Sequence, residues 1–166
     1  MILITGGAGF IGSNLVAALS QKTGAPKITV VDRLGIDDKW KNLSNHLVHQ
    51  IIEPENLDRY LSKNDGSIEY VFHLGAISST IEKDVDLILR NNFNLSLSLW
   101  NWCTKHRIPF IYASSAATYG DGKNGFNDDF DPIELSKLKP LNPYGWSKHL
   151  FDKLVNYDVL NGSAHP

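Results

Sequence analysis

The chain has 166 residues, of which 42% are hydrophobic and 20% charged, so it is long enough to bury a core and is not disordered in composition. Its formal net charge of −2 gives no broad basic field for nucleic acid or an anionic membrane, and no apolar run reaches the ~20 residues that span a bilayer. We therefore expect one domain over residues 1–166 that binds neither nucleic acid nor membrane. Met1 leads straight into an apolar run with no basic region or cleavage site before it. The single Cys103, expected to be a small buried residue, cannot form an internal disulfide. We expect a cytoplasmic protein.

Short apolar runs alternate with helical patterns along the whole chain. This alternation predicts an α/β fold with a doubly wound parallel sheet of Rossmann type, whose strands are joined by right-handed crossovers. Four of the runs are almost continuously apolar, as expected for strands covered by helices on both faces. The predicted strands cover residues 1–5, 27–32, 46–52, 68–74 and 109–114, and the predicted helices cover residues 10–21, 55–63, about 81–106 and 143–160.

The turn between the first strand and the first helix is rich in glycine. Gly7, Gly9 and Gly12 match the dinucleotide fingerprint, and Gly6, Gly9 and Gly12 match the wider spacing of short-chain dehydrogenases and reductases. Glycines here let backbone N–H groups approach a pyrophosphate at the helix N-terminus. The second strand ends at Asp32, twenty residues past Gly12, where a ribose hydroxyl is expected. The pattern predicts a dinucleotide site, and a glycine-rich turn without a ligand is the alternative.

The second half of the chain contains one long helix and one long loop. The helix predicted over 81–106 has an apolar stripe that we expect to face the core, formed by Val85, Ile88, Leu95, Leu99 and Trp102. Residues 119–142 are rich in Gly, Asp, Asn, Lys and Pro and predict a surface loop without regular structure, either a functional lid or a tolerated insertion. The sequence ends soon after the last helix, so we expect a fold truncated before its sixth strand, with the substrate domain absent.

Side chains suited to proton transfer lie at the end of the fifth strand and the start of the last helix. Tyr144 and Lys148 are four residues apart, so on a helix they share one face and the ammonium can stabilise a tyrosinate. An ordinary phenol, with a pKa of about 10, is a poor base at neutral pH, and lowering that pKa by ~3 units requires about 4 kcal/mol of electrostatic help. Ser115, 29 residues before Tyr144, would hydrogen-bond the substrate oxygen as a hydride moves at the adjacent carbon.

Three segments together resemble the extended short-chain dehydrogenase/reductase superfamily, the NAD-dependent epimerases and dehydratases: TGGAGFIGSN at 5–14, YASSAATYG at 112–120 and LNPYGWSK at 141–148. Two further segments, FHLGAISST at 72–80 and PFIY at 109–112, are most similar to the branch of ADP-L-glycero-D-manno-heptose 6-epimerases, which serve lipopolysaccharide core synthesis. The resemblance covers nearly the whole chain. It implies an isomerase that oxidises a nucleotide sugar transiently and returns the hydride to the other face, converting ADP-D-glycero-D-manno-heptose to its L-glycero epimer.

The resemblance also implies roles for individual residues, with no metal among them. Catalysis would fall to Ser115, Tyr144 and Lys148, and the nucleotide-sugar substrate would contact Ser78, Ser79, Thr80 and Ser115. The cofactor would contact Gly6, Gly9, Phe10, Ile11, Gly12, Asp32, Arg33, Lys39, Leu74, Gly75, Ala76, Ile77, Ser78, Asn91, Tyr144 and Lys148. Pro54 stands where some family members have a lysine near the adenosine phosphate. Full-length members are expected to be homo-oligomers, with a second base and a sugar-binding region after the last helix.

Two features of one loop predict different nicotinamide cofactors. Asp32 would accept hydrogen bonds from a free ribose 2′-hydroxyl and repel a 2′-phosphate, which favours NAD. Arg33 and Lys39 would bind that phosphate if Asp32 turned aside, which favours NADP. Because the resemblance leans the same way, we expect NADP over NAD by only ~1 kcal/mol, the size of a surface ion pair.

Other interpretations remain open. As a fragment the chain is a dinucleotide-binding module without turnover, or the enzyme is another nucleotide-sugar epimerase of the extended family. A 4,6-dehydratase would need an acidic pair after Ser115, where the chain has Ala116–Thr118. His73 is expected to pack or to bond the backbone rather than bind metal. Asp128, Asp129 and Asp131 are expected to form a solvated acidic loop, and Trp100 and Trp102 to lie on a helix away from the ligand.

Overall fold

The computed structural model describes residues 1–162, and the last four residues of the predicted domain, 163–166, lie outside the described part. Within it, five parallel strands form one sheet in the order β3-β2-β1-β4-β5, which confirms their predicted number and direction. The strand order reverses between β1 and β4, and ligands of doubly wound sheets bind beyond the carboxyl ends of the strands at such a reversal. The strands are β1 Ile2–Thr5, β2 Ile28–Val31, β3 Gln50–Ile52, β4 Tyr70–His73 and β5 Phe110–Tyr112.

The helices of residues 1–162 vary widely in length. The α-helices are α1 Phe10–Ser20, α2 Leu57–Lys63, α3 Val85–Ile88, α4 Leu95–His106, α5 Pro132–Lys137 and α6 Pro143–Leu160. Short 3₁₀ segments cover Asp38–Leu43, Pro54–Asn56 and Ala116–Tyr119, and a π-helical segment covers Leu89–Asn94. The bounds of α6 match the prediction, and α1 ends one residue before its predicted end. None of these helices is both long enough and apolar enough to cross a membrane.

The chain forms two compact units. The first consists of Met1–Gly75 and Lys105–Tyr112 and contains the sheet, and the second consists of Ala76–Thr104 and the chain from Ala113 onwards. One cluster of buried side chains in the first unit joins β1, β2 and α1, and its members include Ile2, Ile4, Val16, Ile28 and Val30. In the second unit Cys103 is fully buried, as predicted, and burial raises the pKa of its thiol to about 12.

Strands β3, β4 and β5 differ from the prediction. β3 begins at Gln50 rather than at residue 46, because the N–H of His46 is bonded to the carbonyl of Leu43 in the preceding turn. Every residue of β1 and β2 is buried, so these strands are covered on both faces as predicted. The same expectation is wrong for the other two apolar runs, since Tyr70 of β4 is 45% exposed and Ile111 of β5 is 43% exposed.

The long helix predicted over 81–106 begins at Val85 and is interrupted. The carboxylate of Asp84 caps its first turn, so residues 81–84 are not helical. The π-helical segment Leu89–Asn94 then changes the number of residues per turn, which displaces the apolar stripe. The stripe prediction is therefore only partly confirmed, with Ile88 and Leu99 buried, Leu95 and Trp102 half-buried and Val85 39% exposed.

Candidate active site

The glycine-rich turn connects β1 to α1 in the first unit. Gly6 has a φ of +67°, which strains any residue with a side chain, and a Cβ there would lie 2.6 Å from the backbone nitrogen of Gly75. A Cβ at Gly12 would overlap the carbonyl oxygen of Gly6 and lie 2.7 Å from the Cα of Gly7. α1 begins at Phe10, and the N–H groups of a first helical turn have no acceptor within the helix. Because Gly9 donates to the Gly6 carbonyl and Ala8 donates to Asp32, the N–H groups at the start of α1 are the donors that this tight turn can offer a pyrophosphate.

Asp32 follows β2 and is bonded through both of its carboxylate oxygens. Its Oδ2 accepts the backbone N–H of Ala8 at 2.9 Å, and its Oδ1 pairs with the ammonium of Lys39 at 2.6 Å. Lys39 also donates to the carbonyl of Arg33 at 3.1 Å. The buried carboxylate is thus anchored to the glycine-rich turn itself, in the place where the sequence predicts a ribose contact.

Arg33 lies next to Asp32 in sequence and has its own acidic partner. Its guanidinium forms an ion pair with Glu55, and that pair lowers the pKa of the Glu55 carboxyl. Both cations predicted to meet a 2′-phosphate therefore have carboxylate partners in this structure, Lys39 with Asp32 and Arg33 with Glu55. The pair of Arg33 with Glu55 was not foreseen because the two residues are twenty-two positions apart in the chain.

The end of β4 is tied to the end of β1 by side chains. The Thr5 hydroxyl is 2.7 Å from Nδ1 of His73 and accepts the backbone N–H of Gly75 at 3.0 Å. His73 is fully buried, stacks on Phe110 and bonds the Thr5 hydroxyl through its ring, so it packs as predicted. These contacts fix the start of the segment 74–78, of which Leu74, Gly75, Ala76 and Ile77 are half-buried and Ser78 is exposed.

Asn92 is a site residue that the sequence did not identify. Within the second unit its buried amide accepts the N–H of Ile77 at 2.8 Å, donates to the carbonyl of Ile77 at 3.0 Å and donates to Ser147 at 3.1 Å. Ser147 in turn donates to the carbonyl of Tyr144 at 2.7 Å. The neighbouring Asn91, predicted as a cofactor contact, donates to the carbonyl of Leu87 in its own helix. Two adjacent asparagines inside an apolar helical pattern were the available signal, but spacing alone does not tell which one is buried.

Ser115 caps the 3₁₀ segment Ala116–Tyr119. Its hydroxyl oxygen accepts the N–H of Ala117 at 3.1 Å, and its carbonyl accepts both the N–H and the hydroxyl of Thr118. With its oxygen held in this way, the hydroxyl proton of Ser115 remains able to donate to a substrate oxygen.

Tyr144 and Lys148 lie in the first turns of α6. Asn142 caps this helix by accepting the N–H of Gly145 at 2.8 Å, and Pro143 stands at its first position. Lys148 is only 3% exposed and its ammonium donates to the carbonyl of Ala113 at 2.9 Å. Burial lowers the pKa of Lys148 to about 8, and the charge of Asp152 opposes that shift. The structure thus places the buried Lys148, which shares a helix face with Tyr144, in contact with Ala113, two residues before Ser115.

The segment 119–142 is partly helical, so the prediction of a loop without regular structure is wrong. α5 lies inside it, begun by Pro132 and capped by the Asp131 carboxylate, which accepts the N–H groups of Ile133 and Glu134. An Asp-Pro pair is a helix start signal that the loop-like composition concealed. Asp128 accepts a hydrogen bond from the Tyr119 hydroxyl, and this bond raises the pKa of Tyr119.

The remaining candidate residues fall into two groups. Ser78, Ser79 and Thr80, predicted to contact substrate, are exposed on the second unit. Trp100 is buried and donates from its indole nitrogen to Asp158 at 2.9 Å, and Trp102 is half-buried. Across residues 1–162, His, Cys, Asp and Glu side chains form no group of three that could hold a metal ion.

Several curated proteins are similar to this chain. It is 48% identical over 154 residues to the ADP-L-glycero-D-manno-heptose-6-epimerase of Fusobacterium nucleatum, covering 92% of this chain and 46% of that relative. It is 44% identical over 154 residues to the enzyme of the same name from Nitratidesulfovibrio vulgaris, covering 92% and 47%. The chain thus spans about half the length of the curated relatives it matches.

Solved structures of epimerases are also similar to this chain. The ADP-L-glycero-D-manno-heptose-6-epimerase of Helicobacter pylori has a TM-score of 0.77 and 32% identity, covering 93% of this chain and 49% of that one. The UDP-glucuronic acid 4-epimerase of Bacillus cereus, solved in complex with NAD, has a TM-score of 0.76 and 30% identity, covering 99% and 52%. The sequence matches the NAD-dependent epimerase/dehydratase family over residues 2–159, and the chain belongs to that family.

Proposed function

We propose that this chain supplies the cofactor-binding and catalytic residues of a nucleotide-sugar epimerase that converts ADP-D-glycero-D-manno-heptose to ADP-L-glycero-D-manno-heptose. The observation that carries the proposal is the buried Lys148, which shares a helix face with Tyr144 and donates to Ala113, two residues before Ser115. The names of the 48% and 44% identical relatives support the choice of sugar. The product would enter lipopolysaccharide core synthesis, in keeping with the family resemblance.

Each residue has a proton-level role in this proposal. Tyr144 takes the proton of the sugar hydroxyl as the alcohol is oxidised and returns it when the carbonyl is reduced. Ser115 donates a hydrogen bond to the same oxygen, and the Lys148 ammonium stabilises negative charge on the phenol oxygen. A bound nicotinamide cofactor would supply the hydride acceptor and donor, held by the turn from Gly6 to Gly12 and by the chain after β4. Ser78, Ser79 and Thr80 contact the substrate.

The preferred cofactor in this proposal is NADP, with NAD as the alternative. The Arg33 side chain is 55% exposed, so a phosphate can replace its Glu55 partner once the Asp32 carboxylate, which is bonded to Ala8 and Lys39, turns aside. Because Arg33 would give up its ion pair with Glu55 to form one with the phosphate, we expect NADP to bind more tightly than NAD by only ~1 kcal/mol. Titrating both cofactors into the wild type and Arg33→Ala tests it. We expect Arg33→Ala to weaken NADP binding about fivefold and leave NAD binding unchanged; equal NADP affinity in both proteins would show that Arg33 plays no part.

A chimera tests the activity itself. The chain would be joined to the C-terminal half of the Fusobacterium nucleatum relative, and epimerisation of ADP-D-glycero-D-manno-heptose followed by NMR of the sugar. We expect turnover in the chimera and none in the chain alone, which we predict binds cofactor weakly. Tyr144→Phe in the chimera should lower turnover about a thousandfold while cofactor remains bound, because only the proton-transfer group is removed.

Tyr157→Phe is the matched control, because this exposed tyrosine lies on the same helix. Full turnover in Tyr144→Phe, or an equal loss in Tyr157→Phe, would refute the proposed role of Tyr144. The single-domain organisation, the cytoplasmic location and the homo-oligomeric assembly of the full-length protein stay predictions.

A further inference from the structure

Two side chains of α6 hold consecutive residues of the segment that leads to Ser115. The Lys148 ammonium donates to the carbonyl of Ala113 at 2.9 Å. One helical turn later, Asp152 accepts the hydroxyl of Ser114 at 2.6 Å. Ser115 is the next residue, so the position of its hydroxyl depends on a segment that α6 fixes at two adjacent points.

The charge of Lys148 is unfavourable at this position unless an opposite charge offsets it. Its ammonium is buried, and the Ala113 carbonyl is a neutral acceptor that cannot replace an opposite charge. Burial alone would therefore favour the neutral amine, which could not stabilise a phenolate. Asp152 is four residues further along the same helix, within reach of an i, i+4 interaction, and its charge favours the protonated lysine.

We propose that Asp152 is a positioning residue for the candidate catalytic group: its carboxylate is the counter-charge of the buried Lys148 and, through Ser114, it fixes the chain that carries Ser115. The catalytic part of this inference rests on the proposed function, whereas the pairing with Lys148 is a property of the folded chain alone. The roles expected from the family resemblance include neither Asp152 nor Ser114.

Other ionisable groups surround Asp152 and must be separated from it. The hydrogen bond to Asp128, burial and the charges of Asp128 and Asp152 all raise the pKa of Tyr119 in the 3₁₀ segment. His149, Lys153 and Lys139 also lie in this region, since burial and the two lysines lower the pKa of His149 while Asp152 opposes the change. A measurement that follows Lys148 itself is therefore required.

The two roles of Asp152 can be tested separately with conservative variants. Asp152→Asn removes the charge but leaves a carbonyl oxygen that can accept from Ser114. Ser114→Ala removes the hydrogen bond and leaves the charge. Asp158→Asn is the matched control, because Asp158 is on the same helix but accepts from the Trp100 indole.

The first experiment is an NMR titration of lysine Cε resonances in the whole 166-residue chain, with the Lys148 signal assigned from Lys148→Met. We expect Asp152→Asn to lower the Lys148 midpoint by roughly half a unit to one unit, whereas Ser114→Ala, Asp158→Asn and the charge-preserving Asp152→Glu change it by less than about 0.2 units. An unchanged midpoint in Asp152→Asn overturns the pairing. Asp152→Ser, a second neutral variant, decides the question if Asp152→Asn does not fold.

The second experiment uses the chimera and measures the pH dependence of kcat. Asp152→Asn should move the profile in the same direction as the Lys148 midpoint, whereas Ser114→Ala should lower kcat about fivefold without moving the profile. A profile that does not follow the midpoint overturns the catalytic part. Since the titration needs neither cofactor nor turnover, an inactive wild-type chimera would refute the proposed function without affecting the test of the pairing.

Discussion

The glycine-rich turn and the face of α6 are both candidate sites, but they are built in opposite ways. The turn depends on the absence of side chains, because Gly6 and Gly12 have no Cβ and so let backbone segments approach each other closely. The α6 face depends on a buried charge, because the Ala113 carbonyl and the charge of Asp152 offset the loss of water around the Lys148 ammonium. A substitution in the turn should therefore lower the free energy of unfolding and the affinity for the cofactor together. A substitution on the α6 face should change the free energy of unfolding and the turnover in opposite directions.

The largest expected effect is at Gly12. In Gly12→Ala the new methyl overlaps the Gly6 carbonyl oxygen, and backbone on both sides leaves little space for adjustment. We expect the free energy of unfolding to fall by about 3 kcal/mol and cofactor binding to be lost. Urea unfolding and cofactor titration measure the two effects.

Gly66→Ala is the control for that change, since a Cβ at Gly66 has no neighbour within 4 Å. It should change the free energy of unfolding by less than about 0.5 kcal/mol. Equal effects at the two glycines would mean that the turn is not tightly constrained.

Asn92 is expected to show the next largest effect. Asn92→Ala leaves the N–H and carbonyl of Ile77 and the hydroxyl of Ser147 without their buried partner. We expect a loss of about 2 to 3 kcal/mol in the free energy of unfolding. Asn14→Ala, which removes one exposed amide donor to the Phe10 carbonyl in its own helix, should cost less than about 1 kcal/mol. If chemical denaturation ranks the two variants the other way, Asn92 is not the anchor.

Lys148→Met should make the protein more stable and less active. The lysine keeps its charge at neutral pH although burial lowers its pKa from 10.5 to about 8, a cost of roughly 3 kcal/mol. Methionine fills a similar volume but loses the bond to Ala113, so we expect a net gain of about 2 kcal/mol at pH 7. Thermal unfolding and turnover of the chimera should change in opposite directions.

The gain in Lys148→Met should also depend on pH with a definite sign. Between pH 8 and 10.5 the folded wild type has lost the proton that the unfolded chain still binds, so the wild type becomes more stable as pH rises. The difference between variant and wild type must then narrow across this interval. If the difference in free energy of unfolding between variant and wild type is constant with pH, burial of the Lys148 charge does not destabilise the fold.

Arg107 is expected to show the smallest effect and is the converse of Gly6. It follows the last residue of α4 with a φ of 55°, a left-handed conformation that Gly6 adopts without strain. Arg107→Gly should raise the free energy of unfolding by about 1 kcal/mol, since the side chain is exposed and its strain would be relieved. Arg107→Ala retains the Cβ and should change it by less than about 0.5 kcal/mol. Equal stabilities of the Gly and Ala variants would contradict the argument.

The sequence predicted what depends on local patterns. The strands, the glycine-rich turn and both ends of α6 follow from apolar runs, from glycine spacing and from the Asn142-Pro143 start signal. It did not predict what depends on long-range contacts. The pairing of Arg33 with Glu55 and the choice of Asn92 over Asn91 arise only when distant segments meet. α5 is a different case, because its Asp131-Pro132 start signal was present but lay in a segment that looked like a loop.

The single cysteine provides a direct way to follow opening of the chain. Cys103 is fully buried, and its thiol has a pKa of about 12, so the folded state offers a modifying reagent almost no thiolate. Labelling must therefore wait until the second unit opens, and its rate at fixed pH reports the population or the rate of that opening. No reporter residue has to be introduced, and substitutions in the second unit, such as Asn92→Ala and Lys148→Met, can be compared by the same thiol assay in the native sequence background.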